Sequence, residues 1–166
     1  HKTLSNKNDN AINKENNLLN KTYMANSLIV GGLKVGMQVS VACPDAYQPD
    51  PIVLDFAQKN GGFTMTNDPV TAAVDADVIF TDVWASMGQE GEAEKRRIAF
   101  KGYQVNDDVL GAAHVDAMVQ HCLPAHRGEE ITEKVFEAHA NEIFDEAENR
   151  LHAQKAVLVK VMGKQE

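Results

Sequence analysis

Residues 121–130 read His-Cys-Leu-Pro-Ala-His-Arg-Gly-Glu-Glu, a thiol, two imidazoles, a guanidinium and two carboxylates in one short run. Upstream, Asp82 is followed by Ser86-Met87-Gly88, and downstream Asp145-Glu146-Ala147-Glu148-Asn149 leads to Arg150. Each cluster has a chemistry. A carboxylate at Asp82 can hold an amino group, although the same residue can serve only as a turn cap. A hydroxyl beside freely oriented glycine amides, at Ser86 to Gly88, suits a carboxylate ligand. Arg150 can donate to an oxygen that gains charge during a reaction, or simply pair with Glu146 at i,i+4 spacing.

Cys122 admits three functional readings beside that of a small buried hydrophobe. As a nucleophile it needs a base; His121 is adjacent, but neighbours on a strand point to opposite faces. As a metal ligand it would join His121, His126 and His152, without any paired ligand spacing such as C-x2-C. As a lining thiol it would tune the charge around a substrate. Leu123-Pro124 is a bond that can be cis, which would turn nearby carbonyls towards a crevice. Arg127-Gly128-Glu129-Glu130 reads as a polar loop.

The elements that must position these groups alternate in type. Helices are expected over Ala25–Val35 (closed by Gly36), Pro51–Lys59 (Asp50 as N-cap), a short stretch from Asp68 to Val74, Lys95–Phe100, Asp107–Ala113, Thr132–Ala138 and Ala147–Val161. Strands are expected over Met37–Ala42, Phe63–Thr66, Val78–Thr81, Ala117–Val119 and Glu142–Phe144. The alternation predicts an α/β, Rossmann-like parallel sheet with helices on both faces. Ligands of such sheets sit beyond the carboxyl ends of the strands. Asp82, His121-Cys122 and Asp145 to Arg150 would each follow one strand and meet in one crevice.

The 166 residues fit one domain, 43% hydrophobic and 24% charged, which is a globular balance. A net charge of −8 argues against nucleic acid or an anionic membrane as partner. Cys43 and Cys122 alone give no disulfide framework and suit a reducing, cytoplasmic setting. Residues 1–22 carry seven asparagines and four lysines and read as a flexible tail, or as a short helix through Ile12–Leu19, ahead of the α/β domain over 23–166.

In order and spacing, Asp82-Val83-Trp84-Ala85-Ser86-Met87-Gly88-Gln89-Glu90, His121-Cys122-Leu123-Pro124 and Asp145-Glu146-Ala147-Glu148-Asn149-Arg150 closely resemble the ornithine-binding half of ornithine carbamoyltransferases, over roughly Met24 to Met162. The resemblance implies that Asp82 takes the α-amino group of L-ornithine and that Ser86 and Met87 help take its α-carboxylate. It implies a loop from Ala85 to about Glu94 that closes over the amino acid. Cys122 and Leu123 would line the junction of both substrates, their backbone oxygens receiving the amide of carbamoyl phosphate, and Arg150 would donate to its carbonyl oxygen. Cys122 and Arg150 would then be the catalytic residues, with no metal and no organic cofactor. Relatives form trimers, so a homo-oligomer is a possible partner.

Three departures matter. Thr22 and Tyr23 stand where the family carries a Gly-Asp-Gly-Asn-Asn type turn. Neither the Ser-Thr-Arg-Thr phosphate loop nor the His-Pro-x-Gln turn of the carbamoyl phosphate domain is present. The chain is therefore expected to be inactive alone, or else to be a non-catalytic domain that binds an amino acid or a partner protein. A carbamoyl transfer to putrescine is disfavoured by Asp82 with Ser86-Met87-Gly88, which suit an α-amino acid head.

Overall fold

The computed structural model describes residues 23–85 and 90–163. The expected tail over 1–22 lies outside them. The chain divides into two compact units, His1–Asn67 and Asp68–Glu166.

In the first unit, helix α1 (Tyr23–Lys34) leads to strand β1 (Val39–Ala42), a 3-10 turn (Asp45–Tyr47), α2 (Pro51–Asn60) and β2 (Phe63–Thr66). The two strands pair in parallel, Val39 against Phe63 through Ala42 against Thr66. Gly36, at φ +84°, closes α1 as its sequence position requires, in a region costly for any residue with a Cβ. Gly32 serves a different need: a Cβ there would lie 2.9 Å from Val39 Cγ2, so its absence lets α1 approach β1. Helix α2 starts as expected, with Pro51 at its first position and the Asp50 carboxylate accepting the Ile52 N–H at 2.9 Å. Asn26 Oδ1, on α1, accepts the Asp50 N–H at 3.0 Å and fixes the entry to α2.

The second unit runs α3 (Pro69–Ala73), β3 (Val78–Thr81), a 3-10 turn (Glu90–Glu92), α4 (Ala93–Ala99), α5 (Asp107–Ala112), β4 (Met118–His121), α6 (Glu133–Ala138) and α7 (Ala140–Met162). Strands β3 and β4 pair in parallel, Val78 against Met118 through Thr81 against His121. Ile79 and Val119, partners in that register, are both buried. They sit in a core completed by Val105, Val109, Ile131, Val135, Phe136 and Ile143. Caps match the expected chemistry: Asp68 on Val70, Asn106 on Asp108 and Val109, Thr132 on Val135.

One element differs. Glu142–Phe144, expected as a strand, lies inside α7, and Asp145 to Arg150 follow within the same helix rather than after a strand end. No glycine or proline separates His139 from Arg150, and the alanines and glutamates there favour helix over strand. Packing then rewards the helix. Val119 N–H donates to Glu142 Oε2 at 2.9 Å and His121 N–H to Glu146 Oε2 at 3.0 Å. Four residues of helix rise about 6 Å and two residues of strand about 6.6 Å. The two carboxylates therefore match the two outward amides of β4 in spacing and take the place of another strand.

Candidate active site

The carboxyl ends of β3 and β4 lie side by side because the strands pair in register to Thr81 and His121. Asp82 and Cys122 are the next residue on each. Asp82 Oδ1 accepts its neighbour's Val83 N–H at 2.8 Å, and the carboxylate also engages the Cys122 thiol by a side-chain hydrogen bond. Cys122 is 7% exposed. Burial, then the hydrogen bond and negative charge of Asp82, push its thiol up to about 12. A cysteine so held stays protonated at neutral pH and is a poor nucleophile.

His121 is fully buried. Its Nδ1 accepts the Leu123 N–H at 2.9 Å, so the ring proton sits on Nε2, 3.0 Å from Glu130 Oε1. A His121 ring nitrogen, Cys122 Sγ and an Asp82 oxygen fall within 4.8 Å of one another. That is closer than strand alternation suggested, because the pleat ends at His121. Both ring nitrogens are nevertheless engaged elsewhere, which takes His121 out of the role of base for Cys122. His126 groups instead with Glu129 and Glu130, and His152 Nε2 lies 3.3 Å from Glu148 on an exposed stretch of α7. Zinc ligation by His121, Cys122, His126 and His152 together is thus not what the fold assembles.

Leu123 turns the chain with φ +47°, and its bond to Pro124 is cis, as its position before proline allowed. Arg150 reaches the same bend from α7, its Nη1 donating to the Cys122 carbonyl oxygen at 3.1 Å. Asp82, Cys122 and Arg150 therefore converge, with Leu123 beside them. Ser86 and Met87 lie outside the described residues. Just before them, Trp84 stacks on Phe100 at 6.1 Å, and buried Arg96 donates to the Trp84 carbonyl at 3.2 Å, tying Trp84 to α4 and its C-terminal cap.

Two contributors escaped the sequence reading. Glu146 holds the His121 amide, and Glu130 holds its ring. The signal was present: Glu142, Glu146 and Arg150 recur every four residues, one face of a helix. They meet Val119 N, His121 N and Cys122 O in turn.

Parallel strands ending at a carboxylate and a protonated thiol, met by a guanidinium from α7, make an α/β domain of the kind that binds small polar ligands beyond its strand ends. The comparisons identify which. The sequence profile of the aspartate/ornithine carbamoyltransferase Asp/Orn-binding domain matches residues 20–161, and the chain belongs to that family. It is 54% identical over 145 residues to the anabolic ornithine carbamoyltransferase of Pyrococcus furiosus, covering 84% of this chain and 46% of that one. The ornithine carbamoyltransferase of Geobacter metallireducens is 52% identical over 141 residues with the same coverage. Among solved structures, the anabolic ornithine carbamoyltransferase of Campylobacter jejuni superposes with a TM-score of 0.80 at 36% identity, over 85% of this chain and 48% of that one. The Pyrococcus furiosus enzyme gives 0.78 at 53%, over 86% and 47%. The chain thus spans about half the length of the relatives it matches.

Proposed function

We propose that this chain supplies the ornithine side of an ornithine carbamoyltransferase and turns over only together with a carbamoyl phosphate domain. The observation that carries this reading is the convergence of Asp82, the Cys122–Leu123 bend and Arg150 at the ends of β3 and β4. Asp82 binds the α-amino group of L-ornithine, and Ser86 and Met87 bind its α-carboxylate. The δ-amine, once neutral, attacks the carbamoyl carbon of carbamoyl phosphate. The C–N bond forms as the C–O bond to phosphate breaks, phosphate leaves with that electron pair, and the proton shed by the amine goes to solvent or phosphate. The product is L-citrulline, in the biosynthetic direction towards arginine.

Arg150 has five guanidinium N–H groups and spends one on Cys122 O. The remainder serve the oxyanion that grows on the carbamoyl group, where a fixed donor is worth about 3–4 kcal/mol. Cys122 contributes as a neutral donor beside Asp82, not as a covalent nucleophile. Positioning of two substrates supplies most of the rate. The free thiols Cys43 and Cys122 suit the cytoplasm. No helix among the described residues is long and apolar enough to cross a membrane.

Citrulline formation is measured with the chain alone and with a separately supplied carbamoyl phosphate domain. Activity only in the mixture supports the proposal. Ornithine-induced thermal stabilisation with no citrulline in either sample replaces it by the non-catalytic, amino-acid-binding alternative.

A further inference from the structure

The turn between β4 and α6 carries a cluster that the transfer chemistry does not use. His126, Glu129 and Glu130 each offer one ligand atom, and these atoms lie within 4.8 Å of one another. His126 Nδ1 stands 3.9 Å from Glu129 Oε2, too far for a hydrogen bond and suited to an ion between them. Glu130 is fully buried, and its two oxygens differ sharply. Oε1 accepts the His121 Nε2–H at 3.0 Å and the His126 N–H at 2.6 Å. Oε2 is buried with no hydrogen-bond partner among the described residues.

A buried carboxylate oxygen left unmatched is costly, and native folds rarely tolerate one. Burial pushes the Glu130 carboxyl up, but the hydrogen bonds from His121 and from backbone N–H groups outweigh it and hold it below its ordinary value, so the group is ionised. Arg97 is turned to Glu129 instead, its Nη2 bound to Oε1 at 2.9 Å.

The backbone of the turn is also held by bonds that the side chains of the cluster do not make. Glu129 N–H donates to His126 O and Gly128 N–H to Ile131 O. The Gln104 amide clamps Gly128 O and Glu129 O at 2.9 and 2.7 Å. On a turn held this way, the side chains of His126 and Glu129 close in to reach coordination distances of about 2.0–2.2 Å.

We propose that His126, Glu129 and Glu130 form a divalent transition-metal site, Zn²⁺ foremost, separate from the crevice at Asp82 and Cys122. One imidazole nitrogen and two carboxylate oxygens match zinc or manganese better than magnesium or calcium, which favour all-oxygen shells. The side chains of His126 and Glu129 are 53% and 35% exposed, so water completes the coordination and the ion enters from solvent.

The test uses the full chain carrying Cys43→Ser and Cys122→Ser, which removes thiolate binding. Zn²⁺ uptake is measured by competition with a chromophoric chelator, and Co²⁺ is added as a spectroscopic probe. The expected result is one ion per chain, weakened at least tenfold by His126→Ala and by Glu129→Gln, with visible d–d bands in the Co²⁺ complex that His126→Ala abolishes. Circular dichroism checks that His126→Ala, at a half-exposed position, stays folded. Equal zinc affinity in the parent and His126→Ala chains overturns the proposal, as does failure of the thiol-free chain to take up zinc.

Discussion

At the residue scale, the Asp82–Cys122 pair makes a directional prediction. Burial is the main cause of the raised thiol and Asp82 adds to it. Asp82→Asn removes the added charge, so iodoacetamide should alkylate Cys122 faster than in the parent chain at pH 8.5, though still more slowly than a free cysteine; mass mapping of the labelled peptide measures both rates. An unchanged rate would detach Asp82 from the thiol. Glu130 gives a pH prediction. Its folded value lies below the ordinary 4.5, so its contribution to stability is complete above that pH. Stability is lost as pH falls from about 4.5 through the depressed folded value. Urea midpoints between pH 7 and 3 should show this loss, and Glu130→Gln should flatten it. Sequence alone named Asp82, Cys122, Leu123 and Arg150 and left Glu130 in a polar loop without a role of its own. Its burial depends on His121 and the His126 amide folding over it, which no local pattern encodes.

At the element scale, α7 decides how the end of β4 is held. Glu146→Ala leaves the His121 amide without its acceptor and should cost about 1–3 kcal/mol. Glu142→Ala, at a carboxylate 36% exposed, falls at the low end of that range. Urea denaturation gives the size, and hydrogen exchange should quicken at Val119 and His121 specifically. Gly36→Ala is a second measurement at this scale. Nothing stands within 4 Å of an added Cβ, so the loss is backbone alone, about 1 kcal/mol for a residue forced to φ +84°. Caps and strands were largely legible: Asp50, Asp68 and Thr132 cap as read, and Phe63–Thr66 and Val78–Thr81 match residue for residue. Glu142–Phe144 was not, because a three-residue apolar-polar run is compatible with both periods until its neighbours choose.

At the scale of the molecule, the chain covers 46% of a close relative, and the last turns of α7 are exposed. Val157, Leu158, Val161 and Met162 are each more than half exposed on a helix that elsewhere packs against β4. Such a surface favours association. Sedimentation should show concentration-dependent self-association of the chain, reduced by Leu158→Lys with Val161→Lys; a strictly monomeric parent at high concentration would count against it. The sequence by itself determined the α/β alternation, the helix caps and the family, because these reside in local spacing and in runs of residue types. Only the tertiary structure decided that Glu142, Glu146 and Arg150 line one helical face against β4, that His121 is spent on Glu130 and Leu123, and that Cys122 stays protonated. Each of those outcomes depends on burial and on partners many positions away, which proximity in the chain does not specify.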